Sequence, residues 1–189
     1  MAQFEFILVI VGIDPNDDAF EDRLYEAGCD DALVSVVKGS VVLDFTREAK
    51  NFAHAVSSAI QDVQRAGAQV VRIEPDSYAT LSDIAERVGL TRQAISLLIR
   101  GERGPGGFPP PMARVNSDSP LWDWLMVARW LCQHNKIDDR GLLVRAAVTR
   151  KLNTILEINR KPLSGVKTLE RIFVDSSELD PSLTDAVHN

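Results

Sequence analysis

The sequence predicts an α+β protein, and three observations predict it. Its first 76 residues alternate branched apolar runs with amphipathic helical stretches in the order βαββαβ. The next 58 carry short helices punctuated by glycine and proline, and the remainder opens on one long amphipathic run. With 189 residues, 45% hydrophobic and 25% charged, the chain has the composition of an ordinary globular protein with room for two small domains.

The elements of the first segment follow from local pattern. Residues 4–13, FEFILVIVGI, are rich in branched and aromatic side chains and run into Asp14-Pro15-Asn16, so they read as a buried strand ending in a turn. A helix is expected over 17–27, capped by Asp17 or Asp18, with Phe20, Leu24 and Ala27 on one face and Gly28 as its stop. Residues 32–37 and 41–45 read as two strands around Lys38-Gly39-Ser40. A second helix over 49–66, with Phe52, Ala53, Val56, Ala59, Ile60 and Val63 at helical spacing, closes at Gly67, and residues 68–73 supply the last strand. This order is that of a ferredoxin-like split βαβ sheet, an arrangement that serves dimerisation, sensing or partner docking without fixing which. The acidic run Asp14, Asp17, Asp18, Glu21, Asp22 and Glu26 reads as a solvated helix face before it reads as a cation site or a dock for a basic partner.

After a short junction at 75–78 comes TLSDIAERVGLTRQAISLLIR, residues 80–100. Leu81, Ile84, Ala85 and Val88 have one-face helical spacing behind a Thr80 or Ser82 cap, and Gly89 ends the helix. Thr91 caps a second helix with Ala94, Ile95, Leu98 and Ile99 inward, leaving Thr91, Arg92, Gln93, Ser96, Leu97 and Arg100 outward. Glycines 104, 106 and 107 and Pro105 then break the helical pattern, Phe108 and Pro109 to Pro111 read as extended, and Trp122, Val127, Trp130 and Leu131 mark a further helix over 121–134 beginning behind Ser119 and Pro120.

Ala85, Gly89, Leu90, Ile95 and Leu98 in that order resemble the helix-turn-helix of DNA-binding repressors. With the aromatic-proline stretch and the Trp-marked helix, residues 81–131 resemble the winged helix-turn-helix of the excisionase, AlpA and MerR-related regulators. The resemblance implies a recognition helix at 91–100 that reads base edges through Arg92, Gln93, Ser96 and Arg100, with Thr91, Arg103 and Arg114 on phosphates. The wing departs from the family's usual basic character, since Arg114 is its one cation and Asp118 lies nearby.

Charge qualifies that expectation. The net charge is −6, but residues 1–76 hold 6 Lys or Arg against 14 Asp or Glu, a net −8, whereas 77–131 hold 6 against 5, a net +1, and 132–189 hold 9 against 8, also +1. A segment at +1 grips DNA modestly, so a homodimer or higher oligomer is expected on double-stranded DNA.

Residues 141–161 form a basic amphipathic run with Leu142, Leu143, Ala146, Val148, Leu152, Ile155, Leu156 and Ile158 on the apolar side and Arg145, Arg150, Lys151, Arg160 and Lys161 opposite. Pro162 is its expected break, and residues 164–189 read as a loosely ordered tail with an apolar patch at Leu169, Ile172, Phe173 and Val174. The expected domains are thus 1–76, 77–134 and 135–189.

Nothing points to an enzyme. His54, His134 and His188 are scattered, Cys29 and Cys132 lack ligand spacing, the glycines at 104–107 lack the Lys-Ser or Lys-Thr of a phosphate loop, and no GxSxG turn occurs. No cofactor or metal is expected. The apolar run near the start is too short to span a bilayer and has no basic leader, so a cytoplasmic chain is expected. The expected function is an autoregulatory, sequence-specific DNA-binding repressor. The alternatives are an antitoxin or phage-type control protein that neutralises a partner through its N-terminal domain or tail, and a regulator that binds a small effector at residues 1–76.

Overall fold

The computed structural model describes residues 1–159 and is mixed α+β. It divides into two compact units, one built from Met1–Pro75 and, of the described C-terminal residues, 151–159, the other from Asp76–Arg150. The boundary falls inside one helix. No helix among the described residues is long and apolar enough to cross a membrane.

In the first unit the elements run β1 Ala2–Val11, α1 Phe20–Glu26, β2 Ala32–Val37, β3 Ser40–Ala49, α2 Phe52–Arg65 and β4 Gln69–Glu74. The four strands form one antiparallel sheet in the order β2-β3-β1-β4. Alternation, with a register shift between β1 and β4 that brings Val70 onto the side of Ile73, sends Phe6, Leu8, Ile10, Val41, Leu43, Phe45, Val70 and Ile73 to one buried face, where Phe52 at the start of α2 meets Phe6 edge-on at 5.8 Å between ring centres.

β1 lies two residues earlier than the expected 4–13 and β4 one later than the expected 68–73, and three larger shifts each have an identifiable cause. Residues 14–19 form turns, with the Asp14 carboxylate accepting from the Asn16 N–H and the Asp17 carboxylate from Ala19 and Arg23, so α1 starts at Phe20 behind Ala19 and neither Asp17 nor Asp18 caps it. β3 runs four residues past Phe45, because Arg47 takes an inward position where the apolar alternation breaks. The strand therefore occupies the expected start of α2, which begins only at Phe52, where Asn51 accepts from the His54 N–H at 2.9 Å.

Arg47 is the centre of this unit's polar interior. Its Nε and one Nη2 proton go to the two oxygens of Asp31, both at 2.8 Å, and the other Nη2 proton goes to the Gly28 carbonyl at 2.8 Å. Its Nη1 donates to Asp62 at 2.6 Å and Ser58 at 3.1 Å, so all five guanidinium protons are used. Arg65 also bonds Asp62, which leaves two cations against two carboxylates. Burial works against the Arg47 charge, but the hydrogen bonds and charges of Asp31 and Asp62 outweigh it and hold its pKa above the ordinary arginine value. Nearby Cys29 is pushed up to about 12, first by burial and then by the Asp62 charge, so its thiol is inert.

The second unit contains β5 Tyr78–Ala79, α3 Leu81–Arg87, α4 Arg92–Ile99, β6 Trp122–Asp123, α5 Trp124–Gln133 and the first half of α6 Arg140–Asn159. β5 pairs antiparallel with β6. The expected helix at 121–134 starts three residues late: Leu121 bridges to Ala113, Trp122 and Asp123 are strand, and Asp123 caps α5 by accepting from the Met126 N–H at 3.0 Å. Ser119 and Pro120 therefore belong to a loop and not to the helix start. On α6 the buried stripe is Leu143, Ala146, Val148, Leu152 and Leu156, with Thr149 and Asn153 among them; Ile155 is half-buried, while Ile158 is 75% exposed and lies off the stripe. Arg160, Lys161, Pro162, the apolar patch at 169–174 and the rest of the tail lie outside the described residues.

Candidate nucleic-acid interface

The second unit builds its candidate surface on two caps and a glycine. Thr80 accepts from the Asp83 N–H at 3.2 Å while Asp83 accepts from the Thr80 N–H at 2.7 Å, a reciprocal cap that fixes the start of α3. Gly89, at φ 64°, reverses the chain after α3, and the Leu90 N–H closes back on the Ala85 carbonyl at 2.9 Å. Thr91 then caps α4, accepting from the Ala94 N–H at 3.1 Å. Ile84 and Ala85 of α3 and Ile95 and Leu98 of α4 are buried, and on α4 itself only the first two residues, Arg92 and Gln93, are exposed.

Beyond α4 the chain is shaped by sterics. Gly104 has φ 87°, and a Cβ there would lie 3.1 Å from Leu98 Cδ2, so neither the conformation nor the space suits a side chain. Phe108 then meets Trp130 edge-on at 5.0 Å, and the Trp122 indole donates to the Pro109 carbonyl at 3.1 Å. Arg87 lies over the Trp124 ring at 5.0 Å and donates to the Asp76 carbonyl. Trp122, Trp124 and Trp130 are all buried.

Of the seven residues expected to touch DNA, Thr91, Arg92, Gln93, Arg100, Arg103 and Arg114 are exposed and Ser96 is half-buried. Thr91, Arg92 and Gln93 occupy the start of α4, where the backbone N–H groups of Arg92 and Gln93 have no helical acceptor. The Thr91 oxygen is used in the cap, so its hydroxyl proton is what it can offer a phosphate. Leu97 and Ile99 are half-buried, and Leu90 is exposed.

Arg100 is not a free cation. Its guanidinium donates to both oxygens of Glu102, at 2.6 and 3.1 Å, and to Ser96 Oγ at 2.9 Å. The hydrogen bonds and charge of each partner raise the Arg100 pKa and lower that of Glu102. Glu102 is the residue missed from the sequence, although its place two residues beyond Arg100 was a visible signal. Arg92, Arg103 and Arg114 make no ion pair among the described residues, and no hydrogen bond joins Arg103 or Arg114 to α4 side chains. Arg103 lies in the glycine-rich loop, and Arg114, at φ 52°, opens the loop between the bridged residues Ala113 and Leu121.

Among the described residues no group of His, Cys, Asp and Glu is placed to hold a metal ion. Comparison with protein-family models, with curated proteins and with solved structures returns no match for this chain.

Proposed function

We propose that this chain is a sequence-specific DNA-binding regulator that inserts the start of α4 into the major groove. The observation that carries the reading is the exposed turn Thr91-Arg92-Gln93, held outward by a cap beneath it and by Ile84, Ala85, Ile95 and Leu98 behind it. Arginine matches the two acceptors of guanine and glutamine the acceptor-donor pair of adenine, so both bases can be read from one helical turn. Taken this way, α3 and α4 are a helix-turn-helix, the Ala113–Leu121 bridge and its loop a short wing, and the order β2-β3-β1-β4 supports a ferredoxin-like first domain.

The seven contacts then differ in weight. Arg92 and Gln93 read bases; Thr91, Arg103 and Arg114 meet phosphates; and Arg100 with Ser96 contributes once DNA competes Glu102 away. With so few unpaired cations, each protomer binds weakly and a pair of protomers on adjacent half-sites supplies the affinity. A repressor of its own or an adjacent operon fits such a low-affinity, cooperative binder.

Selecting bound duplexes from a random pool at two salt concentrations tests the reading. A defined, two-fold symmetric site is expected, and Arg92→Ala should cost about 1–3 kcal/mol on that site and relax preference at one position. Equal losses on selected and random duplex would overturn the base-reading role of Arg92.

A further inference from the structure

The two outer strands of the sheet, β2 and β4, end in different ways. On the β4 side, Asn153 of α6 accepts from the Ile73 N–H at 2.9 Å and donates to the Ile73 carbonyl at 2.8 Å, and Glu157 bonds Arg72 at 3.0 Å. On the β2 side the strand ALVSVV carries no charge, no proline and no bulge, and shows Leu33 at 72% and Val36 and Val37 at 50% exposure. Natural sheets seldom leave such an edge bare, because its unpaired backbone templates another strand.

The hairpin register says which backbone groups are unpaired. Val37 and Ser40 flank Lys38 and Gly39, both at positive φ, so they form the hydrogen-bonded pair next to a two-residue turn. By alternation Ser35 and Leu33 also bond β3, and the backbone groups of Ala32, Val34 and Val36 face outward. The Ala32 N–H is already given to the Cys29 carbonyl at 3.1 Å. Among the described residues the edge thus offers the N–H and C=O of Val34 and Val36 and the C=O of Ala32.

We propose that β2 pairs antiparallel with β2 of a second copy of this chain, about a two-fold axis passing between the two Val34 residues, to give one eight-stranded sheet. Such an axis, perpendicular to the sheet, keeps like faces together and sets outward-facing residues opposite one another. Each Val34 N–H then donates to the other copy's Val34 carbonyl, and each Val36 N–H to the other copy's Ala32 carbonyl. The same register brings the turn residue Asp30, two positions before β2, near Lys38 of the second copy, in the turn one position after it, twice by symmetry. Both side chains are exposed and neither has an ion pair among the described residues. Centring the axis on Ser35 makes as many backbone bonds but sets Lys38 against Ala32, so the charges select Val34. Because the strand's own two ends supply the opposite charges, the occupant it fits is itself. This pairing does not depend on what α4 binds.

Sedimentation velocity of the full chain over a concentration series tests it, with thermal unfolding to check that each variant folds. The chain should dimerise reversibly. Lys38→Asp, a change that the positive φ at 38 tolerates, should weaken the dimer about tenfold by setting carboxylates face to face twice, and the double variant Asp30→Lys, Lys38→Asp should restore it. Val36→Pro removes an outward N–H from an edge strand and should leave a folded monomer. In hydrogen exchange, the Val34 amide should be protected in the dimer and exchange fast in Lys38→Asp at low concentration. A chain that stays monomeric throughout, or a dimer that neither Lys38→Asp nor Val36→Pro weakens, would overturn the proposal. If Val36→Pro does not fold, the loss and recovery across the charge swap decide alone.

Discussion

Arginine does opposite work in the interior of the first unit and on the candidate surface of the second. Arg47, buried in the first, spends every proton on Asp31, Asp62, Ser58 and Gly28, and so ties the end of α1, the strand β3 and the helix α2 into one body. Arg92 and Arg103 in the second leave their side-chain protons to solvent, and Arg100 lends its own to exposed Glu102 and to Ser96. The whole-chain charge of −6 conceals this division. Part of the acid in residues 1–76 is already neutralised inside the fold, and under the proposed function the cations that would matter for a polyanion are Arg92, Arg103 and Arg114, which make no ion pair among the described residues.

The contrast can be broken first where it is strongest. Arg47→Met should lower unfolding free energy in denaturant by about 3 kcal/mol, because buried Asp62 loses its buried partner and half-buried Asp31 its only ion pair among the described residues. Trp130→Ala should cost a comparable amount, about 3–5 kcal/mol, by emptying the space between Phe108 and α5 while leaving sequence preference on DNA unchanged. Asp123→Ala removes both the α5 cap and the 3.2 Å pair with Arg150 and should cost about 1–2 kcal/mol, read as a lower midpoint in thermal unfolding. Glu102→Gln should have the smallest effect: no measurable change in stability, but slightly tighter binding to every duplex alike and a steeper salt dependence, since it frees one cation.

Acid should mimic that last change. Because pairing with Arg100 lowers the Glu102 pKa, the pair's contribution is complete above the ordinary glutamate range and is lost as pH falls through the lowered value. A duplex-binding curve measured down that range should show Arg100 being released, and Glu102→Gln should flatten it.

Where the residues that define an element also carry the local pattern, the sequence was readable. The Thr80 and Thr91 caps, the Gly89 turn and the buried Ile84, Ala85, Ile95 and Leu98 lie in a run of about 20 residues whose geometry is decided within itself. β2 was found to the residue, because its apolar run stops at a two-residue turn. The α1 start was decided by the turn just before it, but the β3 end and the α5 start share another cause, which is that a partner from elsewhere in the chain decided them. Arg47 looks like the end of a strand until Asp31 and Asp62 are seen around it. Ser119-Pro120 looks like a helix start until Leu121 finds Ala113 and Trp122 finds Ala79. Asn153, sitting in an apolar stripe, has no local signal of its purpose because its partner is 80 residues away. On the candidate surface, Thr91, Arg92 and Gln93 were legible as exposed; the engagement of Arg100 by Glu102 needed side-chain geometry.

That amide at 153 carries a liability. It works because one end gives a proton and the other receives one, matching a single peptide unit on both counts. Asn153→Asp would replace the giving end with a second lone-pair bearer aimed at the Ile73 oxygen. The outer margin of β4 would then lose its seal from within.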